Sequence, residues 1–247
     1  MTSNEPKSTT EYWRLGATIV FSLLILLSFI ISQTIAFTLY ARNKFADYPS
    51  TDEVAYFNSL LSNGDAISMA EIPAAIIGIM MTFVFILLHK HQSIENYLHL
   101  HPIDSKTLLK YAGIMMITIF MLDMVTTLVD HPTPQIMQDI YHSAKQPVLL
   151  WFALIIAAPF FEEILFRGFL FEGLRHSSLG FIGSAILTSA LWAGIHLQYG
   201  LYEIVIIFFV GLILAYAKAK TGSLYIPITM HSLMNFSAVV EIELNLG

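Results

Sequence analysis

The chain has 247 residues, of which 56% are hydrophobic and only 12% are charged, and its mean hydropathy is +0.67. A soluble domain carries about twice that share of charged residues, because its surface must be hydrated. The composition therefore excludes an ordinary soluble globular protein and predicts an integral membrane protein. The net charge of −6 offers no basic surface for a phosphate backbone, so nucleic acid is not an expected partner. The absence of cysteine excludes disulfides, thiolate nucleophiles and cysteine-bound zinc.

Seven long apolar segments predict the fold. About 20 apolar residues in a helix cross the hydrocarbon core of a bilayer, and a helix satisfies its own backbone hydrogen bonds there. The predicted fold class is therefore all-α, a polytopic transmembrane helical bundle with about seven spans. In chain order, the segments occupy residues 15–40, 66–88, 108–129, 147–171, 179–199, 201–217 and 224–240.

The connection after the first segment predicts an outer amphipathic helix. Residues 50–53, Ser-Thr-Asp-Glu, have the pattern of a capping box that opens a helix, and Asn63-Gly64 has a pattern that ends one. A helix lying on the membrane surface is favoured over a substrate-binding element. At helical spacing, one face of this helix would carry Val54, Phe57, Leu60 and Leu61.

The lysines and arginines predict the orientation of the bundle, because cytoplasmic connections carry the excess of positive charge. With a cytoplasmic N-terminus, the seven-span arrangement puts nine of these residues inside and three outside. The chain is therefore expected to be a multi-pass protein of the cell membrane with its N-terminus in the cytoplasm. Asp47 and Lys145 should face outward. The residues expected to face the cytoplasm are Lys90, Arg175 and Lys218.

Two carboxylates and a guanidinium interrupt the fourth apolar segment within six residues. Such groups are costly at membrane depth unless they are paired or face water, so they mark candidate functional sites. Glu163 and Arg167 are four residues apart and can pair on one helical face, whereas Glu162 points about 100° away and can act as a general base. A purely structural role, in which both glutamates pair with arginines, is equally open at this point. Isolated acidic residues with a lower expectation of a direct role are Glu71, Asp123 and Glu203.

Two later segments each contain a polar pair at helical spacing. Trp192 and His196 are four residues apart, and so are His231 and Asn235. Together with the glutamates, they supply a carboxylate base, imidazoles that can polarise water or move a proton, and neutral donors for an oxyanion. This combination predicts the hydrolysis of an amide bond.

Taken in order, these motifs resemble those of the CPBP family, which comprises CAAX proteases and bacteriocin-processing enzymes and is also called the abortive-infection family. The motif residues are Glu162, Glu163 and Arg167, then Trp192 and His196, then His231 and Asn235. Trp192 stands where the family most often has Phe. The resemblance implies a CPBP-like catalytic helical core at residues 147–240, within the same bundle as the N-terminal membrane helices and outer amphipathic helix of residues 1–146.

The resemblance also implies a role for each motif residue. Glu162 and His196 would activate the attacking water, and His231 with Asn235 would stabilise the tetrahedral oxyanion. The positions that would support this site are filled by Glu163, Arg167 and Trp192.

The predicted function is that of an intramembrane endopeptidase, with either CAAX-type processing or the maturation of a bacteriocin or other peptide as its task. Its expected partners are membrane lipid and a membrane-associated protein or peptide substrate. The favoured mechanism requires no cofactor; the alternative is zinc, which nitrogen and oxygen ligands suit. The zinc ligands would be Glu162, His196 and His231. Other functions left open are those of a non-catalytic membrane scaffold, an immunity protein or a proton-coupled transporter.

Overall fold

The computed structural model of the chain describes residues 12–46, 52–89 and 92–245. Within these ranges the chain is almost entirely helical and contains no strand, which confirms the all-α fold class. Residues Pro147–Arg175 form one continuous helix, called α7, that includes two π-helical stretches, Ala153–Ala157 and Ile164–Leu170. The helices are α1 Leu15–Phe45, α2 Glu53–Leu60, α3 Gly64–Leu87, α4 Ile94–Leu98, α5 Ser105–Leu128, α6 Gln135–Ser143, α7 Pro147–Arg175, α8 Gly180–Gly194, α9 Leu201–Thr221 and α10 Tyr225–Asn245.

Five of the seven predicted spans are long and apolar enough to cross a membrane, namely α1, α3, α5, α7 and α9. α8 has only 15 residues, which at about 1.5 Å per residue is shorter than the hydrocarbon core of a bilayer. α10 has 21 residues, but polar residues such as His231 and Asn235 lower its mean hydropathy. By length and composition, the described residues therefore contain five candidate spans rather than the seven predicted, and the chain is a polytopic helical membrane protein.

α1 and α3 lie side by side and run antiparallel, whereas α3 and α7 run parallel to each other. α1 and α3 are joined by the indole of Trp13, which donates to the carbonyl of Phe85 at 3.0 Å, and further along by Gln33, which bonds to Glu71. α7 lies beside both helices. It approaches α3 closely at Gly78, where a Cβ atom would come within 2.3 Å of the Phe161 ring.

The two ends of the bundle differ in charge. We call one of them the basic end, because it carries six of the described lysines and arginines: Arg14, Lys106, Lys110, Arg175, Lys218 and Lys220. The opposite end, called the far end below, contains the C-termini of α1 and α5, the N-termini of α3 and α7, and α6. It carries three such residues: Arg42, Lys44 and Lys145. Lys145, which is predicted to face outward, lies at the far end, and Arg175 and Lys218, which are predicted to face the cytoplasm, lie at the basic end. Asp47 and Lys90 lie outside the described residues.

The core is organised around α7, and the outer faces of the other helices remain apolar. Buried aromatic and aliphatic residues of α7, such as Phe166 and Phe169, pack against α1, α3, α8, α9 and α10. Large apolar side chains on α1, α3 and α5 are exposed, as expected where helices contact lipid.

α2 forms where an amphipathic helix is predicted, with three corrections. Its N-cap is Asp52, whose carboxylate accepts hydrogen bonds from the backbone of Val54 and Ala55, whereas Ser50 lies outside the described residues. Asn63 does not end this helix but caps α3, by accepting a hydrogen bond from the backbone of Ala66. Leu60 is also not on the exposed face, because it packs with Tyr56 against the end of α1. The exposed apolar face consists of Val54, Phe57 and Leu61.

Candidate active site

A cavity of about 840 Å³ lies in the far-end half of the bundle. All four residues predicted to be catalytic line it: Glu162, His196, His231 and Asn235. Trp192 lines it as well, whereas Glu163 and Arg167 lie directly beneath its floor, fully buried. Three separate helices and one turn thus bring the predicted set together around one space.

The floor of the cavity is built on an ion pair within α7. Arg167 donates from Nη1 to Oε1 of Glu163 at 2.9 Å, and its guanidinium lies 4.3 Å from the centre of the Trp192 ring. Its Nη2 atom reaches the carbonyl of Gly211 at 3.4 Å. Glycine is required there, since a Cβ atom would lie 2.8 Å from the Cβ of Ser189. The pair is therefore enclosed by α8 and α9 as well as by its own helix.

Glu163 has a second partner that the sequence did not indicate. The Nδ1 atom of His231 lies 2.9 Å from the same Oε1 atom that binds Arg167. Because a carboxylate held by a guanidinium is an acceptor, Nδ1 carries the proton and donates to it. The Nε2 atom of His231 is then directed toward Glu162, 3.9 Å from Oε2. Glu163 thus sets both the tautomer and the orientation of this imidazole.

Glu162 faces the cavity and is held by one donor. The indole Nε1 of Trp192 donates to its Oε2 atom. The indole can make this bond whereas the phenyl ring more usual at this motif position cannot. Trp192 therefore has a polar role at this site in addition to its ring contacts with Arg167 and His231.

His196 lies in the turn that directly follows α8, two residues after Gly194, rather than inside a helix as predicted. Its backbone N–H bonds to the carbonyl of Ala193, and its Nδ1 atom lies 2.8 Å from the carbonyl of Trp192. Since a carbonyl only accepts, Nδ1 is the protonated nitrogen and Nε2 of the neutral ring keeps a free lone pair. The ring also stacks on Tyr199 with centroids 6.1 Å apart.

Asn235 closes a gap in the backbone bonding of α7. In the π-helical stretch, the N–H of Ala158 bonds to the carbonyl of Ala153. In the same register the carbonyl of Leu154 would pair with residue 159, which is proline and has no N–H. The amide Nδ2 of Asn235 donates to this carbonyl at 2.8 Å, which leaves its second N–H and its oxygen for other partners.

The cavity also contains polar residues from outside the three motifs. Gln33 of α1 donates to Glu71 of α3 at 2.9 Å, and both line the cavity. Glu203 lies at its rim, 2.7 Å from the ring of His131. The sequence offered only the membrane depth of Glu71 and Glu203 as a signal, while Asp123 does not line the cavity.

The charged side chains that line the cavity are all acidic. Three carboxylates line the cavity, those of Glu71, Glu162 and Glu203, and none of its described lining residues is a lysine or an arginine. Burial raises the pKa of Tyr199, which also lines the cavity, so its hydroxyl stays protonated and can donate. Most of the remaining lining is aliphatic or aromatic, so the cavity combines a few polar groups with apolar walls.

The proposed zinc ligands are not arranged as a metal site. In the part of the chain that the structure describes, no three His, Asp or Glu side chains are grouped to hold a metal ion. Oε2 of Glu162 is bound by Trp192, and Nδ1 of His231 is directed to Glu163. The atoms that these contacts leave for another partner are the second carboxylate oxygen of Glu162 and the Nε2 atoms of His196 and His231.

Comparison with known proteins places the site in a recognised domain. Residues 144–237 match the family model described as type II CAAX prenyl endopeptidase Rce1-like, and this confirms the resemblance to the CPBP family in that part of the chain. A curated Escherichia coli protein, described as an uncharacterized 24.3 kDa protein, is 34% identical over 92 residues. That match covers 36% of this chain and 42% of the relative, so the chain spans less than half of the relative's length. No solved structure matches.

Proposed function

We propose that this chain, an integral membrane protein with an Rce1-like domain at residues 144–237, is an intramembrane endopeptidase. It would cleave a membrane-associated protein or peptide precursor. The Rce1-like family is a protease family, which supports the reaction class. The observation that carries the proposal is the convergence of Glu162, His196, His231 and Asn235 on one cavity of about 840 Å³.

Glu162 is the general base in this proposal. A water bound beside its carboxylate attacks the carbonyl carbon of the substrate, and Glu162 takes the proton that the water loses. The tetrahedral intermediate collapses when the C–N bond breaks, and the same proton passes to the leaving amine. The hydrogen bond from Trp192 fixes the orientation of this carboxylate.

The remaining three residues orient the water and bind the developing oxyanion. His196 has an Nε2 lone pair that can accept from the attacking water, because its Nδ1 is held by the carbonyl of Trp192. Asn235 keeps one N–H that can donate to the oxyanion after bonding Leu154. His231 can donate to the oxyanion when its Nε2 atom, which lies 3.9 Å from Oε2 of Glu162, carries a proton.

The proposal can be tested by identifying the cleavage products whose formation depends on Glu162. Membranes containing the wild-type chain, Glu162→Gln and the exposed control Glu243→Gln would be compared by mass spectrometry of peptide termini. The expected result is a set of cleavage products that is lost in Glu162→Gln, by at least about 100-fold in rate, and retained in Glu243→Gln. Full activity in Glu162→Gln would overturn the hydrolase and favour a scaffold, an immunity protein or a proton-coupled transporter.

We also propose that this chemistry needs no metal, because Arg167 puts a cation beside Glu163 and no three described His, Asp or Glu side chains are grouped to hold a metal ion. Chelators should then leave the rate unchanged, and the purified protein should hold far less than one zinc per chain. Stoichiometric zinc that is lost together with activity in both His196→Ala and His231→Ala would contradict this proposal and make those residues ligands. The cell membrane, with a cytoplasmic N-terminus, is the proposed location, on the basis of the charge difference between the two ends.

A further inference from the structure

Most of the walls of the cavity come from the far-end half of the bundle, although the cavity extends inward to Glu162 in the middle of α7 and to His231 in the second turn of α10. Helices that start at the far end contribute their first turns, such as Ile67 of α3, Leu150 of α7 and Glu203 of α9. Helices that finish there contribute their later turns, such as Trp192 of α8 and Ile242 of α10. α6, which lies wholly at the far end, covers one side of the cavity.

The basic end is closed to the cavity by a thick layer of packed side chains. All twelve residues 163–174 of α7 are buried, which corresponds to about 18 Å of helix below the cavity floor. Two glycines bring neighbouring segments directly onto this stretch. A Cβ at Gly168 would lie 2.7 Å from Leu98, and one at Gly173 would lie 2.2 Å from the Thr18 hydroxyl.

A buried ion pair completes this closure. Glu172 accepts from Nζ of Lys218 at 2.8 Å, and both side chains are almost fully enclosed. Arg175 lies 3.7 Å and His99 lies 4.0 Å from the other carboxylate oxygen of Glu172. No lining residue of the cavity belongs to this cluster.

The far end, in contrast, exposes the rim of the cavity. Leu61, at the end of α2, is 63% exposed, and Leu197, in the turn after α8, is 76% exposed. Both residues line the cavity. A substrate can therefore reach Glu162 from the far end, whereas the closed layer separates Glu162 from the basic end.

We infer that the site takes its substrate from the extracytoplasmic side of the membrane. The basic end carries six described lysines and arginines against three at the far end, so the basic end faces the cytoplasm. The inference rests on the proposed endopeptidase function and narrows its substrate to a peptide segment already on, or anchored at, the outer side. A translocation step must supply such a substrate. This selects maturation of an exported or membrane-inserted peptide over processing of a C-terminus in the cytoplasm.

Cysteine labelling tests the direction of the cavity without reference to activity. The chain contains no cysteine, so single substitutions report one position each. In intact cells, a membrane-impermeant maleimide should label Leu197→Cys at the cavity rim. It should label Lys220→Cys, exposed at the basic end, only after permeabilisation. Labelling of Lys220→Cys in intact cells, or failure to label Leu197→Cys that is reactive after permeabilisation, would overturn the inference. Leu61→Cys is the second rim variant if Leu197→Cys does not accumulate.

The location of the cleaved bonds gives the second readout. Termini that depend on Glu162 should map to exported or outward-facing segments of their precursors. Termini that map to cytoplasmic segments would overturn the inference and leave the endopeptidase intact. A complete absence of Glu162-dependent termini would overturn the endopeptidase itself, and with it this substrate assignment, even where the labelling shows an outward cavity.

Discussion

A single carboxylate oxygen organises the buried part of the site. Oε1 of Glu163 accepts from both Arg167 and His231, while Glu162, one residue earlier, faces the cavity. The division between the two glutamates follows from the 100° that separates neighbouring residues of a helix. That much was predictable from spacing. The contact with His231 was not, because it joins residues 68 positions apart, and no local pattern encodes such a distance.

We predict that Arg167→Ala destabilises the protein by about 3 to 5 kcal/mol, because it leaves the buried carboxylate of Glu163 without its cation. The measurement is the midpoint of thermal unfolding in detergent. Glu162→Gln, which keeps a partner for the indole of Trp192, should unfold close to the wild-type temperature. Lys106→Ala, at an exposed lysine, is the matched control. Equal destabilisation by Arg167→Ala and Glu162→Gln would show that the two glutamates are not divided in this way.

Local backbone irregularities place two of the four proposed catalytic residues. α8 stops at Gly194 because the His196 ring takes the Trp192 carbonyl, while the backbone N–H of His196 turns to Ala193. α7 leaves the Leu154 carbonyl free because residue 159 is proline, and Asn235 binds it. Hydropathy could not reveal either feature. Residues 195–199 remain apolar enough to extend the predicted span, and π-helical turns have no characteristic residue composition.

The bond between Asn235 and Leu154 predicts an energetic coupling with Pro159. Asn235→Ala leaves a partly buried carbonyl without a donor and should cost about 1 to 3 kcal/mol of stability. Pro159→Ala restores a backbone N–H next to that carbonyl. We therefore expect Asn235→Ala to cost at least about 0.5 kcal/mol less in the Pro159→Ala background, as measured by a double-mutant cycle on unfolding.

The control for this cycle lies on the same helix. The Thr229 hydroxyl bonds only to the Tyr225 carbonyl within α10, so Thr229→Ala should show no coupling to Pro159→Ala. If Asn235→Ala costs the same in both backgrounds, Asn235 does not substitute for the missing N–H of Pro159. Its role would then have to be assigned from kinetics alone.

The membrane spans could be predicted from the sequence, whereas the cavity between them could not. Five spans follow directly from runs of apolar residues. Each polar group exposed to lipid is unfavourable by itself, so a span can be recognised from the composition of its own residues. α10 does not meet the same criterion because it carries His231 and Asn235. The meeting of Gln33 and Glu71 with Glu162 depends instead on how α1 and α3 pack against α7, which composition does not specify.

A histidine at the basic end, His99, leads us to predict that the folded chain loses stability on mild acidification. His99, in the connection between α4 and α5, accepts from or donates to the hydroxyl of Tyr12 at 2.7 Å, and its backbone carbonyl binds the N–H of Leu224. Burial, and next the positive charge of Lys218, lower the pKa of His99 below its ordinary value of 6.5, although Glu172 acts in the opposite direction. Below about pH 6.5 the unfolded chain therefore binds more protons at this residue than the folded chain does.

Folding stability should consequently fall as the pH decreases from about 7 to 5, and it should be fully retained above that window. The measurement is the unfolding temperature of the wild-type chain at these pH values beside His99→Gln, which removes this titration and should flatten the profile. His142→Gln, at an exposed histidine of the far end, should leave the profile unchanged. A His99→Gln variant with the full wild-type slope would mean that the closure of the basic end does not depend on a neutral His99. The acid sensitivity would then have to come from carboxylates elsewhere in the bundle.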